Sequence, residues 1–89
     1  MKKQEVLDEA GRLISSDREQ QYGKASDNFG RIADMWSAYL GQRVRKSDVA
    51  AMMALLKIAR LANGHKDDSW IDLAGYAGLG AELSEEDDG

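Results

Sequence analysis

Five residues stand out by type and spacing. Asp68, Asp72 and Tyr76 recur every four positions, which places them on one face of a helix. Lys57 and Arg60 stand three apart, also on one helical side, and are the only charges from Val49 to Leu61. Two carboxylates one turn apart can hold a hard cation such as Mg2+, which takes oxygen ligands and keeps several waters. Lys and Arg bind phosphate oxygens, Arg through a two-pronged fork. A tyrosine can stack on a base or donate to a phosphate. Read together, these residues would suit a nucleotide, with Asp68 and Asp72 as metal ligands and Lys57, Arg60 and Tyr76 on the phosphates or base. The same residues also have a structural use. A cation on a buried helix needs a counter-charge, or its desolvation goes uncompensated. Asp72 would then neutralise Lys57 or Arg60, Asp68 would cap a helix, and Tyr76 would be an amphipathic core residue. Residue types alone leave both uses open.

Helices must position these groups, because apolar residues recur at helical spacing nearly throughout, with no sustained alternation of the kind strands show. A first helix is expected over 4–16, with Val6, Leu7, Ala10, Leu13 and Ile14 on one face and a turn or cap at Gly23. The second starts near Ser26, Asp27 or Asn28, carries Phe29, Ile32, Ala33, Trp36, Tyr39 and Leu40 on one stripe, and ends at Gly41. The third, capped by Ser47 or Asp48, runs to about Ala62. It is apolar nearly all round, so it is expected to be the most buried element, with Leu56 in the core.

The fourth helix is expected to run from Asp67 or Asp68 to about Leu83. Its apolar face would be Trp70, Leu73, Ala74, Ala77 and Ala81. Gly75, Gly78 and Gly80 each cost a helix interior about 1 kcal/mol relative to Ala. Either the helix stops early or the glycines admit a close neighbour. The link 63–67 is short, so the third and fourth helices should be antiparallel, with Lys57 near Asp72 or Tyr76 and Arg60 near Asp68. His65 would be an exposed loop residue, and Phe29, Trp36 and Trp70 core.

The chain of 89 residues has room for one domain. The expected class is all-α: a four-helix domain over 1–83 with a disordered, flexible acidic tail over 84–89. Net charge is −4, with Glu82, Glu85, Glu86, Asp87 and Asp88 near the end and a nearly neutral body before them. Duplex DNA is therefore not an expected partner, since it needs several cations set against phosphates. With no Cys and one His, disulfides and thiolate metal sites are excluded and ordinary zinc ligation is disfavoured. No signal-peptide pattern and no apolar run near ~20 residues is present, so a cytosolic location away from membranes is expected. A small core and an apolar third helix lead to an expectation of self-association, as a homodimer or higher oligomer.

Two stretches carry a family resemblance. Asp48-Val49-Ala50 through Lys57-Ile58-Ala59-Arg60, followed by Asp68-Ser69-Trp70-Ile71-Asp72-Leu73-Ala74-Gly75-Tyr76-Ala77, resembles a family of small phage and prophage proteins of unknown function. Arg18, Tyr22-Gly23, Phe29, Ile32-Ala33 and the run from Trp36 to Gly41 fit the same family. A more distant resemblance is to the all-α, MazG-like nucleotide pyrophosphohydrolases and to nucleotide-modification-associated phage domains. These place an acidic residue before a Leu-Ala-x-Tyr-like stretch, matched here by Asp72 to Tyr76. That resemblance implies Mg2+, a nucleotide ligand, and attack of a metal-bound water on a phosphoanhydride. MazG-like enzymes carry paired acidic motifs on two helices, whereas this chain has Lys57 and Arg60 on its third. The residues therefore leave open whether the chain is an enzyme. The functions expected are nucleotide binding or hydrolysis with Mg2+, a non-catalytic phage accessory role on a host protein, or nucleotide sequestration without turnover. If the chain is phage-encoded, the expected compartment is the host cytoplasm.

Overall fold

Glycine and short polar caps set the helix ends. Gly41 stands at φ 65°, a left-handed conformation that other residues adopt at a cost, and its N–H closes on the Ser37 carbonyl. The Ser37 hydroxyl then accepts the Val44 N–H at 2.7 Å, turning the chain into the next helix. There the Asp48 carboxylate reaches back to the Arg45 N–H at 2.8 Å, the acidic half of a capping box. The computed structural model describes residues 1–15 and 24–87. Among them are four helices and no strand: α1 (Lys3–Leu13), α2 (Ala25–Leu40), α3 (Lys46–Leu61) and α4 (Asp67–Asp87). The all-α, four-helix expectation holds. The expected turn at Gly23 lies outside the described residues, as does the end of the first helix expected at Ser16.

Helix α4 is the element the others share. It packs along α3 and against α1, while α2 packs on α3. Its glycines mark the contacts. A Cβ at Gly80 would stand 3.2 Å from the Ala50 Cβ, and one at Gly75 would stand 3.3 Å from an Ile14 methyl. The glycines thus admit neighbouring helices rather than ending α4. The buried stripe of α4 is Ser69, Ile71, Gly75, Leu79 and Leu83. This corrects the expected face: Trp70, Ala77 and Ala81 are exposed, and Leu73 and Ala74 only half-buried. Phe29, Ala33, Val49, Ala50, Leu79 and Leu83 form the core, with Trp36 packed against it.

The expectation for α3 is also corrected. Only Val49 and Ala50 are buried there, while Met52, Leu55, Leu56 and Ile58 are exposed. Helix α4 takes the central place instead. An all-round apolar helix has no preferred side, and its partners covered only one.

The carboxyl end differs from the expected tail. Helix α4 continues to Asp87, and its last acids clamp the start of α3. The Asp87 carboxylate accepts from the Ser47 hydroxyl, and from the Ser47 N–H at 3.3 Å. Glu86 accepts from the Ser26 hydroxyl at 2.6 Å and pairs with Lys46 at 3.1 Å. Acids at a helix N-terminus meet unpaired N–H groups and the positive end of the helix dipole. The expected boundary at 83 therefore falls inside α4; residues 88 and 89 lie outside the described residues.

Leu83 is 3% exposed and Leu56 44%. In urea titrations Leu83→Ala should cost about 2–5 kcal/mol, and Leu56→Ala less than about 1 kcal/mol. A pH dependence follows from the clamp. Hydrogen bonds from Ser26 and Lys46 hold Glu86 below its usual 4.5. The Ser47 hydroxyl foremost holds Asp87 below 3.8. Depressed folded values mean that their contribution is complete above those ordinary values and lost as pH falls through the lower folded ones. Acid melts should thus show a smaller loss between pH 5 and pH 3 for Glu86→Gln/Asp87→Asn than for the parent chain.

Candidate functional site

Lys57 and Asp72 meet across the α3–α4 contact, with Nζ 2.9 Å from Oδ2. The Lys57 side chain is only 14% exposed, whereas that of Asp72 is 38% exposed. The short turn through Gly64 makes α3 and α4 neighbours and brings the two residues level. A cation so far out of water needs this partner. One face of the carboxylate therefore serves structure and the rest stays accessible.

Asp72 also lines a cleft of about 250 Å³ among the four helices. Leu13 and Ile14 come from α1 and its end, Asn28, Phe29 and Ile32 from α2, and Val49 and Met53 from α3. From α4 come Asp72, Gly75 and Tyr76. Tyr76 is half-buried, its ring 6.4 Å from that of Phe29 and tilted by 37°. The wall is apolar except for Asn28, Asp72 and the Tyr76 phenol. Among the described residues no buried side-chain nitrogen or oxygen lacks a partner.

The five expected residues divide. Lys57 and Asp72 come together, and Tyr76 shares the cleft with Asp72. Arg60 and Asp68 are both exposed, and neither forms a hydrogen bond or ion pair with the other three among the described residues. Asp67 and Asp68 occupy the first turn of α4, where negative charge suits the helix dipole. His65 is exposed as expected, and its Nδ1 accepts the Trp70 indole N–H at 3.0 Å. That bond keeps Trp70 at the surface and out of the core.

Sequence reasoning missed Asn28, taking it for a cap. The usable signal was its position: with Ala25, Phe29 and Ile32 it lies on the buried stripe of α2, where a polar side chain needs a purpose. Among the described residues no three His, Cys, Asp or Glu converge, and Asp72 is engaged by Lys57.

Residues 5–84 match the family model described as Domain of unknown function (DUF6378). The chain belongs to the DUF6378 family. This DUF6378 chain is 47% identical over 76 residues to the Gene 55 protein of Mycobacterium phage L5, covering 83% of the chain and 49% of that protein. It is 44% identical over 82 residues to the Gene 55 protein of Mycobacterium phage D29, covering 91% and 54%. The chain spans about half the length of the curated relatives it matches. These matches show the expected phage kinship; they do not show the MazG-like resemblance expected from the stretch Asp72 to Tyr76. No solved structure matches this DUF6378 chain. No helix among the described residues is long and apolar enough to cross a membrane.

Removing Asp72 strands Lys57. Asp72→Ala should cost about 1–3 kcal/mol, less than a fully buried pair because Asp72 keeps some water. Lys57→Met should recover most of that loss in the Asp72→Ala background, as chemical denaturation of the four chains in the cycle would show.

Proposed function

We propose that this DUF6378 chain is a nucleotide-binding phage protein that takes a base into the cleft among its four helices. The observation that carries the reading is the placement of Asp72: a carboxylate on a side chain 38% exposed, held by Lys57, in the wall of a mostly apolar cleft. A volume of about 250 Å³ falls below the ~300–1,000 Å³ typical of pockets for drug-sized ligands. It suits one ring system, with sugar and phosphates outside. Phe29, Ile32 and Met53 offer apolar contact to the ring faces. Asn28 and Asp72 offer edge contacts: an amide can both donate and accept, and a carboxylate accepts from an exocyclic amino group.

Charge fits as well. Lys57 neutralises Asp72, so the site does not repel an anionic ligand. Arg60 is exposed one turn beyond Lys57 and makes no ion pair with a described residue. It is the cation available to phosphates. The proposal is of binding and includes no hydrolytic step.

A titration followed by amide NMR, with adenosine and cytidine mono- and triphosphates and with or without Mg2+, tests this reading. Saturable shifts are expected at Asn28, Ile32, Asp72 and Gly75 without added metal. Ile32→Trp should fill the cleft and abolish them. Arg60→Ala should weaken triphosphate binding by roughly tenfold or more, the worth of a charge-assisted hydrogen bond. Absence of saturable shifts at the cleft would overturn the reading.

A further inference from the structure

The turn between α3 and α4 sets Asn63, one of two asparagines in the chain, directly before Gly64. Both residues are exposed, and the Asn63 side chain makes no hydrogen bond to a described residue. Asparagine is among the thermolabile residues. Gly64 stands at φ 133°, a conformation that other residues rarely adopt, and a Cβ there would meet nothing within 4 Å. No side chain therefore screens the Gly64 nitrogen from the neighbouring Asn63 amide carbon. The Gly64 N–H donates to the Leu61 carbonyl at 3.1 Å, just past the end of α3, and such end bonds open readily because helix ends fray. Asn28, the other asparagine, is half-buried inside α2 and precedes the bulky Phe29, where the backbone N–H groups are held in the helix.

We propose that Asn63-Gly64 is a self-modification site, at which the chain deamidates through a cyclic imide and so ages at the turn joining α3 to α4. The Gly64 nitrogen gives up its proton to solvent and attacks the Asn63 Cγ. A new N–C bond forms, the bond from Cγ to the side-chain nitrogen breaks, and that nitrogen takes a proton back and leaves as ammonia. Water then adds to one of the two imide carbonyls. Opening at Cγ restores the original main chain and leaves aspartate. Opening at the main-chain carbonyl breaks its bond to the Gly64 nitrogen and leaves isoaspartate, with the chain rerouted through Cγ. Water is the one co-reactant. Either product puts a carboxylate where a neutral amide stood, in the same turn as Asp67 and Asp68. Isoaspartate also adds a carbon to the main chain of the short link 62–66. That link sets Lys57 level with Asp72, so the longer route works against their 2.9 Å contact.

Incubation of the full chain in warm, mildly alkaline buffer, followed by peptide mass mapping, tests the proposal. The peptide carrying residue 63 should gain the mass of an amide-to-acid change, as a mixture of isoaspartate and aspartate. The peptide carrying Asn28 should stay unchanged. The rate should rise with pH, because the attacking nitrogen must lose its proton. Asn63→Gln should abolish the conversion, since the longer side chain would have to close a larger ring. Gly64→Ala should slow it severalfold by setting a methyl beside the attacking nitrogen. The converted chain should unfold at a lower urea concentration than Asn63→Gln incubated alongside. No mass gain at residue 63, over a time that converts the same chain in guanidinium, would overturn the proposal. So would equal conversion at Asn28, or aspartate without isoaspartate. An unchanged urea midpoint after conversion would overturn the ageing of the turn.

Discussion

Everything in this molecule depends on how closely α4 can lie against its neighbours. Gly80 stands where a Cβ would be 3.2 Å from Ala50, and Gly75 and Gly78 face Ile14 at 3.3 Å. Each glycine weakens the helix on its own, by about 1 kcal/mol relative to Ala. That cost is tolerable only because the approach seals Val49, which has no exposed surface, together with Leu79 and Leu83. A chain of this size buries a modest share of its surface, so one tight seam does work that larger domains spread over many contacts.

The seam also places the chemistry. With α3 and α4 drawn together, Lys57 comes within 2.9 Å of Asp72. The pair is then both a structural necessity and the polar wall of a cleft. The two uses do not compete, because Lys57 occupies Asp72 from one side while the carboxylate keeps over a third of its surface in water. The clamp at the other end follows the same geometry. Helix α4 is long enough to carry Glu86 and Asp87 past the start of α3, where Lys46, Ser47 and Ser26 receive them.

Because α4 takes the centre, α3 is left with one buried side. Val49 and Ala50 face inward, and Met52, Leu55 and Ile58 face out. The apolar surface of α3 is thus divided between a side turned to the core and a side turned to solvent. This division explains how so small a chain can hold a hydrophobic helix without wrapping it.

The amino-acid sequence by itself determined the all-α class, the four helices and the stop at Gly41, and it put Lys57 within reach of Asp72 or Tyr76. These are local: spacing, caps and a short connection act within a few residues of chain. Only the tertiary structure decided which side of α3 is covered, because a helix apolar on every side points nowhere. It decided that Ile71, Gly75, Leu79 and Leu83, rather than Trp70, Ala77 and Ala81, line the buried face of α4. Gly75 scores poorly as core by hydrophobicity, yet its missing side chain is what admits Ile14 and sets which side of α4 is covered. It turned Glu86 and Asp87 from an expected solvated tail into a clamp, since their partners lie some 40 to 60 residues earlier in the chain. It also revealed Asn28 as a cleft residue, because a cleft among four helices exists only once all four are in place.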